Sequence, residues 1–265
     1  MVNFLIAASV AAASPVTASE APPPPPEPAM FVVRDSDTTV YLFGTFHALD
    51  GDANWFGPCV RNAFEESNEL VLETLLPEGP DAAAQLRQVD APRSQSSSFL
   101  NTTRMAISAG RLQGMQVANG ADMVLRHTAE AEGKSVEGLE TLQLQLNMFN
   151  SMPPPSVATG PNAPKAGQSV DDQQSLSVAI SEMQSAWKLG DQRVFVRLLD
   201  QLQAGSPDTY RKMFTERNAR WADWIAARMQ TPGTVFVAVG AGHLAGRDSV
   251  LVRLAEKGIV SQRVD

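Results

Sequence analysis

The chain has 265 residues, 43% hydrophobic and 19% charged, enough for one globular domain with a sizeable core or a domain plus a lobe. Its net charge of −8 argues against nucleic acid or an anionic membrane as a partner, because both want a basic face. The single cysteine, Cys59, cannot form an internal disulfide and has no evident activating base, so it reads as a small buried hydrophobe.

Residues Phe4 to Ala13 form an apolar run too short to cross a bilayer as a helix, and Val16-Thr17-Ala18 offers a small-residue cleavage pattern. Residues 1–18 therefore read as a signal peptide, and the expected location is the periplasm or the medium. The first three residues hold no Lys or Arg, so its leading positive charge is the terminal amine alone. No other segment is apolar enough for a transmembrane span. Residues 19–29 read as a Pro-rich linker, because the run Pro22 to Pro28 disfavours helix and sheet. The folded domain is expected over residues 30–265.

Phe31 to Arg34 and Thr38 to Phe43 flank Asp35-Ser36-Asp37, the pattern of a β-hairpin. Apolar residues at helical spacing predict a helix over Asn54 to Ser67, and Glu69 to Glu73 reads as the second core strand. Asp81 to Gln88 is expected to be helical and Ser94 to Ser98 a polar loop. A helix containing Asp122 to Ala129 should close at Gly133, followed by a strand to Glu140. Ser151 to Gln174 is poor in large apolar residues and rich in Pro, Gly and Ser, which predicts a flexible insertion. From Ser175 to Met229 the pattern is helical, interrupted at Gly190-Asp191 and at Gly205-Ser206-Pro207. A strand over Thr234 to Val239, a helix over Ser249 to Lys257 and a strand over Ile259 to Val264 complete the chain. The order predicts an α/β fold: a central mixed, largely parallel sheet with flanking helices, a helical lobe and an N-terminal β-hairpin.

Two of the three histidines end matching runs. Thr39 to Phe43 leads into Gly44-Thr45-Phe46-His47, and Thr234 to Val239 leads into Gly240-Ala241-Gly242-His243. Leu70-Val71-Leu72 ends in Glu73 in the same manner. Ligands of open α/β sheets bind beyond the carboxyl ends of the strands, where all three residues fall. Two imidazoles and a carboxylate are a divalent-metal donor set with room for water, and such an ion could acidify that water. Glu137 or Glu140 could add a ligand or a general base. The plainer alternative is that each histidine is a hydrogen-bonded loop residue. His127, mid-helix and without a matching partner, reads as a surface or packing residue. Arg217 and Trp221, four apart, share a helix face, which pattern alone assigns to a solvated surface.

The stretches Tyr41 to His47, Leu70 to Glu73, Gly133 to Thr141, Arg217-Asn218 with Trp221, and Val237 to Gly246 together resemble the TraB/GumN family. That family is related to the TIKI proteins and more distantly to erythromycin-esterase-like and ChaN-like proteins. Order and spacing agree from about Met30 onward. The resemblance implies a metal-dependent hydrolase of peptidase type acting on a peptide or other small substrate. It implies Mn2+ or Co2+ as the ion, with Zn2+ not excluded. Carried over residue by residue, it implies His47, Glu73 and His243 as metal ligands, and Glu73, Glu140, Arg217 and Asn218 as the catalytic set. The insertion at 151–174 departs from the family, which continues there as helices. Two alternatives stand beside this expectation: a metal-free hydrolase with a histidine base, and a non-catalytic protein that captures a peptide, metal or haem-like ligand. Substrate and oligomeric state are not readable from the sequence.

Overall fold

A computed structural model of the chain describes residues 26–51, 53–79, 82, 108–152 and 170–264. Strands β1 (Met30–Arg34) and β2 (Thr38–Thr45) form the expected antiparallel hairpin. The Asp35 carboxylate closes its turn by accepting the N–H groups of Asp37 and Thr38. Strands β3 (Glu69–Thr74), β4 (Ser135–Glu140), β5 (Gly233–Gly240) and β6 (Gln262–Val264) complete a mixed sheet in the order β4-β3-β5-β2-β1-β6. β4, β3, β5 and β2 run parallel to one another, and β1 and β6 add an antiparallel edge.

The central strands are apolar on both faces, as a sheet covered on both sides requires. Tyr41, Phe43, Leu70, Leu72 and Phe236 point to one face. There they pack with Trp55, Trp187, Phe64 of helix α1 (Pro58–Glu66) and Leu125 of helix α2 (Ala121–Ala131). Val40, Leu42, Val71, Val235, Val237 and Val239 point to the other face. Helix α2 ends as predicted: Gly133 takes φ +72°, and the N–H groups of Gly133 and Lys134 return to the carbonyls of Glu130 and Ala129.

Helix α3 (Leu142–Asn150) follows β4, and Thr141 caps it by accepting the N–H of Leu144. The helical lobe comprises α4 (Val170–Lys188) and α5 (Arg193–Gly205), a short turn at Pro207–Tyr210, a π-helical turn at Arg211–Thr215 and α6 (Glu216–Arg228). Helix α7 (Val250–Glu256) carries Ser249 as its N-cap. Trp221 and Ile225 of α6 and Leu254 of α7 cover the valine face of the sheet.

Three boundaries move, the first at α1, which begins at Pro58 rather than Asn54, after a 3-10 turn at Ala53–Trp55. Helix α4 begins at Val170, so the last residues assigned to the 151–174 insertion belong to a helix. β6 starts at Gln262 rather than Ile259, because Gly258 at φ +79° and the Ile259 N–H, bonded to the Leu254 carbonyl, are engaged in closing α7. The predicted signal peptide, most of the Pro-rich linker, nearly all of the 81–88 helix, the 94–98 loop and positions 153–169 lie outside the described residues. Among the described residues no helix is long and apolar enough to cross a membrane.

Candidate functional site

Register brings the motifs together. Thr45 lies beside Gly240 in the parallel β2–β5 pair, Leu72 beside Ala238 in β3–β5, and Thr74 beside Glu140 in β3–β4. Four strands thus end along one edge, and Glu140, Glu73, Gly240 and the two histidine turns stand in a row across it. Gly240 lies at the centre of that row. A Cβ there would sit 3.1 Å from Glu73 Oε1, 3.5 Å from His47 Nε2 and 3.6 Å from His243 Cδ2. Its missing side chain leaves the ground on which the three residues meet, and its N–H donates to Glu73 Oε1 at 2.6 Å.

His243 is buried between the Phe214 and Trp221 rings, with centroids 4.8 Å and 4.4 Å away. Its hydrogen bonds fix its protonation. Asn218 donates through Nδ2 to the Asp248 carbonyl, so its Oδ1 accepts, and it accepts the Nδ1–H of His243 at 2.6 Å. Nε2 faces Arg217 Nη1 at 3.3 Å, and a guanidinium can only donate. His243 is therefore a neutral imidazole with its lone pair on Nε2. Burial drives its pKa in the same direction, down to about 3.

His47 has the opposite surroundings. Its side chain is 62% exposed, and Nδ1 donates to Asp122 Oδ1 at 3.0 Å. The Asp122 carboxylate is the main reason its pKa rises to about 9. Asp122 stands in the first turn of α2, which approaches closely enough for Ala121 N–H to donate to the Phe46 carbonyl. Gly120 permits this approach: a Cβ there would lie 2.3 Å from the His47 carbonyl oxygen.

Arg217 ties the row together from α6. Nε donates to Glu140 Oε2 at 2.9 Å, Nη2 to Glu73 Oε2 at 2.8 Å, and its guanidinium lies 4.5 Å over the Trp221 ring. Arg220 takes the other Glu140 oxygen at 3.0 Å. Burial opposes ionisation of Glu73, but His243, Arg217 and His47 outweigh it and bring the pKa down to about 2.

A family model, the TraB/PrgY/gumN family, matches residues 29–100 and 93–263. The chain belongs to the TraB/PrgY/gumN family. No curated protein and no solved structure matches it.

In this TraB/PrgY/gumN chain the structure brings together His47, Glu73, Glu140, Arg217, Asn218 and His243. Glu137 stands on the same strand as Glu140 but is exposed. His127 stands apart, bonded to Glu78 at 3.1 Å and 55% exposed. Arg217 is buried rather than part of a solvated face. Sequence reasoning missed Asp122 as a partner of His47. The two are 75 positions apart, and nothing in the pattern around Asp122 signals where its helix docks.

The donor types fit a divalent ion. There are two imidazoles, each tethered at Nδ1 so that Nε2 is the inward nitrogen, beside a carboxylate. Their present arrangement does not close around one, and among the described residues no group of three His, Cys, Asp or Glu is placed to hold an ion. Arg217 reaches both Glu73 and the Nε2 of His243 and sets a cation between them.

Proposed function

We propose that the strand-end row is a hydrolytic site that cleaves a peptide-type acyl bond in a small substrate. The observation that carries this reading is the convergence on Gly240 of His47, Glu73 and His243, one proton-bearing imidazole and one neutral imidazole flanking a carboxylate. Hydrolysis needs a group that takes a proton from water and a group that gives one to the leaving group. Solvent-facing His47 holds its proton beside Asp122 and would give it to the leaving group, while the ionised Glu73 carboxylate would take the proton of the water. His243, held by Asn218, keeps a lone pair turned inward, and Arg217 and Arg220 together balance the charge of Glu73 and Glu140.

A divalent ion would be held by His47, Glu73 and His243, and would supply a Lewis acid and an acidified water. The Nδ1 tethers on both rings support this version, since metal-bound histidines commonly donate their second N–H to an acceptor. An ion-free version is favoured by the guanidinium of Arg217, which leaves no unbalanced negative charge at Glu73. The proposal includes export, with residues 1–18 removed. The mass of the mature chain tests that part.

The experiment is a panel of peptides and esters assayed with Mn2+, Co2+, Zn2+ or Mg2+ and in chelator, beside a His47→Ala/His243→Ala variant. Turnover by the parent chain that the variant loses is the expected result, and turnover that persists in the variant overturns the site. Turnover only with an ion selects the first version, and full turnover in chelator the second.

A further inference from the structure

The groups of this site differ in what they have left to offer a ligand. Arg217 has partners on all three guanidinium nitrogens, and Asn218 uses both its amide donor and its carbonyl on protein. Arg220 is different. Among the described residues it makes one bond, from Nη2 to Glu140 Oε1, and its side chain is 49% exposed. Glu140 is itself buried and is held from its other oxygen by Arg217, so it fixes the Arg220 fork rather than trailing after it. Arg220 is thus an oriented cation with spare donors at the Glu140 end of the row.

Its place along the row sets a distance. Glu140 ends β4, two strands away from β5, where Gly240 lies. Neighbouring strands are about 4.8 Å apart, so the separation is about 10 Å, the span of about three extended residues. We infer that Arg220 receives a carboxylate of the substrate, about three residues along the chain from the bond at Gly240, and that the substrate is a short peptide carrying a free C-terminal or side-chain carboxylate at that spacing. A guanidinium fork matches a carboxylate in shape as well as charge. This inference rests on the hydrolytic reading for the scissile bond but not for the subsite itself.

The test is calorimetric binding to the full chain of acetyl-tetraalanine with a free C-terminus and of the same peptide as its C-terminal amide. The acid should bind about tenfold tighter or more, since a hydrogen bond between charged groups is strong enough for at least that ratio. Arg220→Gln should bring the ratio close to one. Arg220→Lys, which keeps the charge and loses the fork, should fall between. Equal binding of acid and amide, no binding of either, or a preference that survives in Arg220→Gln overturns the inference. Thermal melts of both variants show that they are folded, and Arg220→Lys carries the test if Arg220→Gln is not. Acid preference without turnover of any peptide sinks the hydrolytic reading and leaves the subsite. Turnover with no acid preference does the reverse.

Discussion

His47 and His243 come from the same pattern, a β-branched run that breaks at Gly-x-x-His, and they end neighbouring parallel strands. Their surroundings then part. One ring is open to solvent beside a carboxylate and holds a proton. The other is sealed between two aromatic rings, bonded to an amide and a guanidinium, and holds none to spare. The lesson is that the strand end sets where a histidine stands, while the helix that docks on it sets its charge. α2 supplies Asp122 to the first, and α6 supplies Arg217, Asn218 and Trp221 to the second.

Removing Arg217 should break this contrast most severely. Arg217→Met leaves buried Glu140 and partly buried Glu73 without their shared cation and frees Nε2 of His243 from its donor. Truncating one side of a buried ion pair costs about 3–5 kcal/mol, so urea unfolding should show a loss of that order. An unchanged midpoint would mean that the guanidinium does not organise the row. Asn218→Ala comes next. It strands a buried N–H on His243, at a cost of about 1–3 kcal/mol by the same measurement. Asp122→Asn should cost less stability than either, because the His47 pair is largely in solvent. It should instead move the His47 titration, followed by NMR, from about 9 back toward 6.5.

The same contrast predicts two limbs in stability against pH. The His47 pKa is raised on folding, so its contribution is complete below 6.5 and is lost as pH rises through about 9. The His243 pKa is lowered, so the unfolded chain takes up its proton first, and stability falls as pH drops from 6.5 toward about 3. Glu73, also lowered, adds a loss from 4.5 down to about 2. Asp122→Asn should flatten the alkaline limb and leave the acid limb in place, as read by denaturant midpoints across pH.

The strands were legible because their β-branched runs stop abruptly at glycine or a carboxylate, and the close of α2 at Gly133 because it follows local chemistry. The row at Gly240 was legible because parallel strands align their ends. Asp122 and the aromatic clamp of Phe214 were not, since helix docking is decided by long-range packing that leaves no local spacing. The burial of Arg217 was hidden for a related reason: an Arg four residues from a Trp looks the same whether the helix faces water or a pair of carboxylates.

The proline run ahead of the sheet does more than separate. Glu27 lies within it, and its carboxylate accepts the N–H groups of Cys59 and Val60 at the start of α1, the end of a helix that attracts anions. The stretch before β1 is therefore a clasp on the first helix, with Gly57 leaving the opening through which it closes. Where the fold begins is then a matter of chemistry rather than of the first strand. A chain shortened to start at Met30 keeps every strand and gives up the latch on α1, whereas one that starts at Pro26 carries the whole fastening.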